Sequence, residues 1–170
     1  MRIDYHTHHA RCGHAEGSLE DYIRRAIGIG LDQIGLSDHM PLIHVDPAAY
    51  WPGMAMPMDE LPRYVEEALE LKEKYKGRIE VRVGLEGDYI EGHEEAIERI
   101  VRGYPWDYVI GSVHFLGEWD ITDYRQTDGW KTRDPMAVYE QYYDAVRKAA
   151  ATGFYDVIGH IDVIKRFGVA

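Results

Sequence analysis

Nine histidines are spread through this chain, and two of them open it in the run Asp4-Tyr5-His6-Thr7-His8-His9. Ile3 to His6 reads as a short strand, and a side-chain period of two sends His6 and His8 off the same face, where both imidazoles can reach one metal ion. The pair alone is half a site and is equally compatible with two solvated histidines. Further candidates stand in Ser37-Asp38-His39-Met40-Pro41, Gly84-Leu85-Glu86-Gly87-Asp88, Gly111-Ser112-Val113-His114 and Ile158-Gly159-His160-Ile161-Asp162. Imidazoles mixed with a carboxylate suit zinc, iron or manganese better than calcium or magnesium, which prefer all-oxygen shells. A carboxylate such as Glu86 can span two cations with its two oxygens. Cations paired ~3.5–4 Å apart lower the pKa of a bound water and offset charge on a transferring phosphoryl group, so hydrolysis of a phosphate ester is the natural chemistry.

Such a site needs elements that bring these residues together. After the first strand, Ser18 can cap a helix with Asp21 three residues on, Leu19, Tyr22, Ile23, Ala26 and Ile27 recur at helical spacing, and Gly30 supplies a stop. Gln33–Leu36 reads as a second strand. Met40–Pro57, rich in Pro, Met and aromatic residues, reads as a long ordered loop over one face. A helix from near Asp59 to Gly77 precedes a third strand in which Ile79, Val81, Val83 and Leu85 alternate with Glu80, Arg82 and Gly84, with Glu86 at its far end. A helix over His93–Arg102 leads to a fourth strand, Trp106–His114. The loop Phe115–Arg133 is long enough to form a lid or pocket wall. A helix near Pro135–Thr152, with Pro135 in its first turn, leads to a fifth strand, Asp156–Gly159.

Strands alternating with helices imply right-handed crossovers and a parallel sheet, open or closed into a barrel. In such sheets functional groups gather at the carboxyl ends of the strands. His6/His8, Asp38/His39, Glu86, His114 and His160/Asp162 mark five consecutive strand ends, so the topology places all five on one face. Asp38, Asp88 and Asp162 either orient neighbouring imidazoles or cap turns.

The chain has 170 residues, enough for one domain with a substantial core, and its 45% hydrophobic and 12% aromatic content describes an ordered protein. A formal charge of −11 argues against nucleic acid as a partner, since a phosphate-backbone binder needs a basic face. An anionic small substrate stays open, because divalent cations would reverse the local field. The single cysteine, Cys12, cannot form an internal disulfide, and no stretch of ~18 apolar residues suggests a membrane span, so a cytoplasmic location is expected. Cys12 lies among His8, His9 and His14, where it is either a ligand or, the favoured reading, a reduced bystander.

Taken with Asp4-Tyr5-His6-Thr7-His8 and Cys12-Gly13-His14-Ala15-Glu16-Gly17, the motifs above follow one another in an order that resembles the PHP superfamily (polymerase and histidinol phosphatase), and within it the histidinol-phosphate phosphatases. The resemblance covers essentially the whole chain. It implies a distorted (β/α) barrel with a trinuclear centre of zinc, iron or manganese. His6, His8 and Glu86 would hold one metal, Glu86 would bridge to a second held with His114 and His160, and His14 and His39 would hold a third. The implied reaction is hydrolysis of L-histidinol phosphate, a small phosphorylated substrate, by a metal-bound hydroxide. Lys165 and Arg166 are candidate phosphate contacts, His9 and His44 candidate substrate contacts, and Tyr50, Trp51, Trp119 and Trp130 could face the organic end. Alternatives are another PHP phosphoesterase or exonuclease, and a non-catalytic metal-binding fragment. The family's late Asp-x-His motif has no match before Ala170, so residues 1–170 are expected to form an incomplete barrel of the first five βα units. Its remainder would lie on a longer polypeptide or a partner chain.

Overall fold

A computed structural model describes residues 1–46 and 53–168; Tyr50 and Trp51 lie outside the described residues. The first half of the chain folds as β1 (Ile3–Asp4), α1 (Leu19–Ile29), β2 (Gln33–Leu36), α2 (Leu61–Lys74) and β3 (Glu80–Asp88). The second half folds as α3 (Glu94–Gly103), β4 (Tyr108–Ser112), a β5–β6 hairpin (Phe115–Leu116 and Trp119–Asp120), α4 (Pro135–Ala151) and β7 (Val157–Ile158). Helix ends follow local chemistry. The Ser18 hydroxyl accepts from the Asp21 amide at 3.2 Å while the Asp21 carboxylate accepts from the Ser18 amide at 2.9 Å, and Gly30 closes α1 at φ 74°. Asp134 caps α4 ahead of Pro135. Among the described residues, no helix is long and apolar enough to cross a membrane.

β1, β2, β3, β4 and β7 form one parallel sheet whose order is the order of the chain. Each crossover therefore steps one strand in the same direction, and right-handed connections of that kind set the helices on one face, as in a section of a barrel wall. A doubly wound sheet would reverse direction midway. The sheet has two edges, where Ile3 on β1 is 46% exposed and Val157 on β7 is 48% exposed.

Several strands differ in length from the pattern in the sequence. β1 stops at Asp4 because the chain then turns to β2, the Thr7 amide donating to Ser37 Oγ at 2.9 Å. β3 runs on through Glu86 to Asp88, since Glu86 is held on both sides. Its amide donates to Asp38 O at 3.0 Å, its carbonyl accepts from the Met40 amide at 2.8 Å, and it is in register with Ile110 of β4. β4 is limited to Tyr108–Ser112, and α2 begins at Leu61 because Asp59 and Glu60 form a turn. The expected loop Phe115–Arg133 contains the β5–β6 hairpin and a 3-10 run, Tyr124–Thr132.

Glycines on β2 and β3 make room for one ring. Tyr108 lies across Gly35 and Gly84 and donates its hydroxyl proton to Tyr5 O at 2.6 Å, so a ring from β4 reaches back to the chain leaving β1. A Cβ on Gly84 would meet three carbons of that ring, the farthest at 2.9 Å, whereas one on Gly28 of α1 would meet nothing within 4 Å. Gly84→Ala is therefore expected to destabilise the fold by about 1–3 kcal/mol through overpacking. Gly28→Ala should leave it unchanged or raise stability by up to about 1 kcal/mol. Urea unfolding of the two variants measures both, and equal effects would contradict this packing.

Candidate metal centre

The loops that leave the carboxyl ends of the parallel strands converge on Glu86, which is 1% exposed. Its Oε2 faces His6 Nε2 at 3.1 Å, His8 Nε2 at 3.2 Å and His39 Nδ1 at 3.1 Å. Its Oε1 faces His160 Nε2 at 3.0 Å and His114 Nε2 at 3.5 Å, and accepts from Ser112 Oγ at 2.7 Å. One carboxylate thus divides five imidazoles between its two oxygens.

The donor set fits divalent metal. Ligand atoms on one tetrahedral zinc, with bonds of about 2.0–2.1 Å, stand about 3.3 Å apart, and the separations above bracket that edge. Although three imidazole nitrogens surround it, Glu86 Oε2 has no aligned hydrogen-bond partner among the described residues. His114 Nε2 and His160 Nε2 face each other at 3.2 Å, as two lone pairs directed at a shared cation would. Among the described residues, four groups of donors lie mutually within 4.8 Å: His6/Glu86/His160, His8/His39/Glu86, His39/Asp88/His114 and His8/Cys12/His14.

The electrostatics follow from burial opposed by pairing. Burial would raise the Glu86 carboxyl, but the imidazoles, His39 foremost, outweigh it and hold the group well below the usual carboxylate range. Burial depresses His39 to about 3 against the pull of Glu86, leaving that ring neutral with a lone pair to offer. His6 is raised, chiefly by its contact with Glu86. Burial would lower His114 too, yet the Asp88 charge outweighs it and the ring is pushed up to about 9. His114 Nδ1–H donates to Asp88 Oδ1 at 2.6 Å, which fixes the tautomer and aims Nε2 at Glu86. Asp38 stands 3.6 Å from His8 Nδ1 and is ion-paired with His9; burial works against its charge, and these histidines nevertheless keep it low.

His14 stands at the outer side of this cluster, its ring 5.1 Å from that of His8 and 4.9 Å from that of His39, and its Nδ1 3.0 Å from Gly53 O. His39, paired with His14 by the family resemblance, also turns Nδ1 to Glu86 and stacks on His8 at 4.4 Å. The site opens into a cleft of about 380 Å³, with Asp120, Thr122, Asp123 and Arg125 along the wall supplied by the β5–β6 region.

Some expected contacts lie elsewhere. His9 is 5% exposed, turned away from the cleft and buried on Asp38, since alternation sends it opposite to His8. His44 lies in a neighbouring cavity of about 450 Å³, its ring edge-on to Phe115 at 4.5 Å. Arg166 lines the cleft, but Lys165 faces a separate groove of about 950 Å³ along α4. Asp162 reaches Lys165 at 3.8 Å and starts a short 3-10 turn instead of orienting His160. Trp119 and Trp130 pack edge-on at 5.2 Å as the core of the hairpin region. Ser112, Asp120 and Arg125 escaped sequence reasoning. Arg125, clamped on Asp123 at 2.8 Å, had only its place in a suspected lid to mark it.

Residues 4–169 match the family model described as PHP domain. The chain is 38% identical over 165 residues to a probable histidinol-phosphatase of Deinococcus radiodurans, covering 97% of this chain and 62% of that protein. It is 33% identical over 183 residues to the histidinol-phosphatase of Bacillus subtilis, covering 98% and 68%. A crystal structure of histidinol phosphate phosphatase from Lactococcus lactis, complexed with zinc, L-histidinol and phosphate, superposes with a TM-score of 0.79 at 26% identity, covering 97% of this chain and 59% of that one. The chain thus spans between 59% and 68% of the length of these proteins.

The Asp88–His114 pair carries a pH signature. Folding raises His114 from 6.5 to about 9, so its contribution to stability is complete below pH 6.5 and is lost as pH rises toward 9. For metal-free protein the urea midpoint should fall across that window, and Asp88→Asn should flatten the slope. An unchanged slope in that variant would refute the pairing.

Proposed function

This chain belongs to the PHP domain family, and from that premise we propose that it hydrolyses L-histidinol phosphate to histidinol and inorganic phosphate at a centre of divalent metal. The observation that carries this reading is the single buried carboxylate of Glu86 shared by five imidazoles. Substrate and reaction come from the histidinol-phosphatases to which the chain is similar. Zinc is the ion named for the Lactococcus lactis enzyme, and iron or manganese suits the same donors.

In this reading Glu86 would hold the ions together with the rings that face it, His6, His8 and His39 at one oxygen and His114 and His160 at the other. When bound, the ions supply a water of lowered pKa and positive charge to oppose the phosphoryl oxygens. The remaining tasks fall to the chain. Asp88 holds the proton on His114 Nδ1 and so keeps Nε2 free. Arg125 and Arg166 line the cleft and orient the phosphate, Arg125 being pre-placed by Asp123. Asp120 lies in the same wall, where burial raises its carboxyl; Oδ1 accepts from Thr122 and from the Asp123 amide, leaving Oδ2 to carry a proton to the departing alkoxide. A cleft of about 380 Å³ suits a small phosphomonoester, and the net charge of −11 disfavours a polyanion. With Cys12 as its single cysteine, we place the reaction in the reducing cytoplasm.

Phosphate release from L-histidinol phosphate, assayed after chelation and after reloading with zinc, manganese or iron, tests the proposal. Release should depend on the added ion and fall at least about 100-fold in Glu86→Gln and His160→Ala. Far-ultraviolet circular dichroism should stay that of the parent chain. No release with any of the three ions, or undiminished release in Glu86→Gln, would sink it.

A further inference from the structure

Cys12 ends a short 3-10 turn, Ala10–Cys12, closed by Gly13 at φ 84°, and its side chain is 0% exposed. Its Sγ stands 3.1 Å from His9 O and 3.7 Å from His14 Nε2. The protons can be assigned from the partners. Gly53 O can only accept, so the proton of a neutral His14 is on Nδ1 and its Nε2 carries a lone pair. The Cys12 S–H has the nearer acceptor in His9 O. With the S–H donated to His9 O, sulfur and Nε2 both present lone pairs to the space between them, an arrangement that a cation relieves. Sulfur at about 2.3 Å and nitrogen at about 2.0–2.1 Å from one tetrahedral zinc stand about 3.6 Å apart, close to the observed separation. His8, the third member of this donor group, has a buried Nδ1 without a hydrogen-bond partner among the described residues, while its Nε2 is turned to Glu86.

We propose that Cys12 is a ligand of the metal centre, binding as a thiolate beside His14 at its outer position and making that position selective for zinc over manganese. This rests on the metal-centre reading above. Uptake of the ion forms the S–metal bond, breaks the S–H bond and releases that proton to solvent. Soft sulfur favours zinc, whereas manganese prefers oxygen donors. Two protein donors leave positions open for water or an oxygen of the substrate.

The full chain loaded with cobalt(II) in place of zinc provides the test. A thiolate-to-cobalt charge-transfer band in the near ultraviolet is expected in the parent chain and absent from Cys12→Ser and Cys12→Ala. By equilibrium dialysis, both variants should bind one zinc at least about tenfold more weakly, with manganese uptake unchanged. Bound cobalt with visible absorption but no charge-transfer band would overturn the assignment and leave the Glu86 centre standing, even if neither variant folds. Zinc binding unaltered in a folded Cys12→Ala would overturn it equally. Absence of any bound ion in the parent chain would overturn both this proposal and the reading beneath it.

Discussion

A fully buried carboxylate is the constraint on which this structure turns. An ionised group taken out of water costs several kcal/mol unless charge or hydrogen bonds replace the lost hydration, and among the described residues Glu86 has one hydroxyl, Ser112, aligned to donate to it. Imidazoles from four different strand ends make up the difference, and the strands exist in this order to deliver them. Glu86 cannot shift to suit its neighbours, because its own amide and carbonyl are committed to the ladder beside β2 while β4 flanks it on the other side. The five rings adapt to the carboxylate.

That division of labour explains the surroundings. Asp88 lies behind His114 and fixes its ring, and Asp38 lies behind His8 and His9, so negative charge alternates with imidazole outward from Glu86. Much of the chain's acidity is on the outer surface, as in the Glu20 network with Arg24, Lys74 and Tyr75, and does not act on the cleft. Net charge is therefore a poor guide to the field inside, where cations from Arg125 and Arg166 stand with the histidines.

What could be read from the sequence is what local chemistry decides. The Ser18–Asp21 capping box, the Gly30 stop, β2 and the start of α4 at Pro135 each depend on neighbours a few residues away, and each stands where expected. The parallel sheet and the convergence of His6, His8, His39, His114 and His160 on Glu86 follow from alternation of elements. Strand lengths do not, because β3 continues to Asp88 only through pairing with residues far away in sequence. Likewise His8 and His9 are chemically identical, and only the path of the turn sends one to Glu86 and the other to Asp38. Trp119 and Trp130 pack against one another, which no single-residue reading could reveal.

The ligands are also distributed unevenly across the sheet. Glu86 belongs to an inner strand, whereas His6 follows one edge strand and His160 the other, and their rings lie 5.4 Å apart at opposite ends of the sequence. Metal held on Glu86 between the two would act as a clasp, closing a chain loop from one edge of the sheet to the other and suppressing fraying at both margins together. Stripping the ion would then loosen the two termini in concert while the inner strands keep their amide protons protected from exchange.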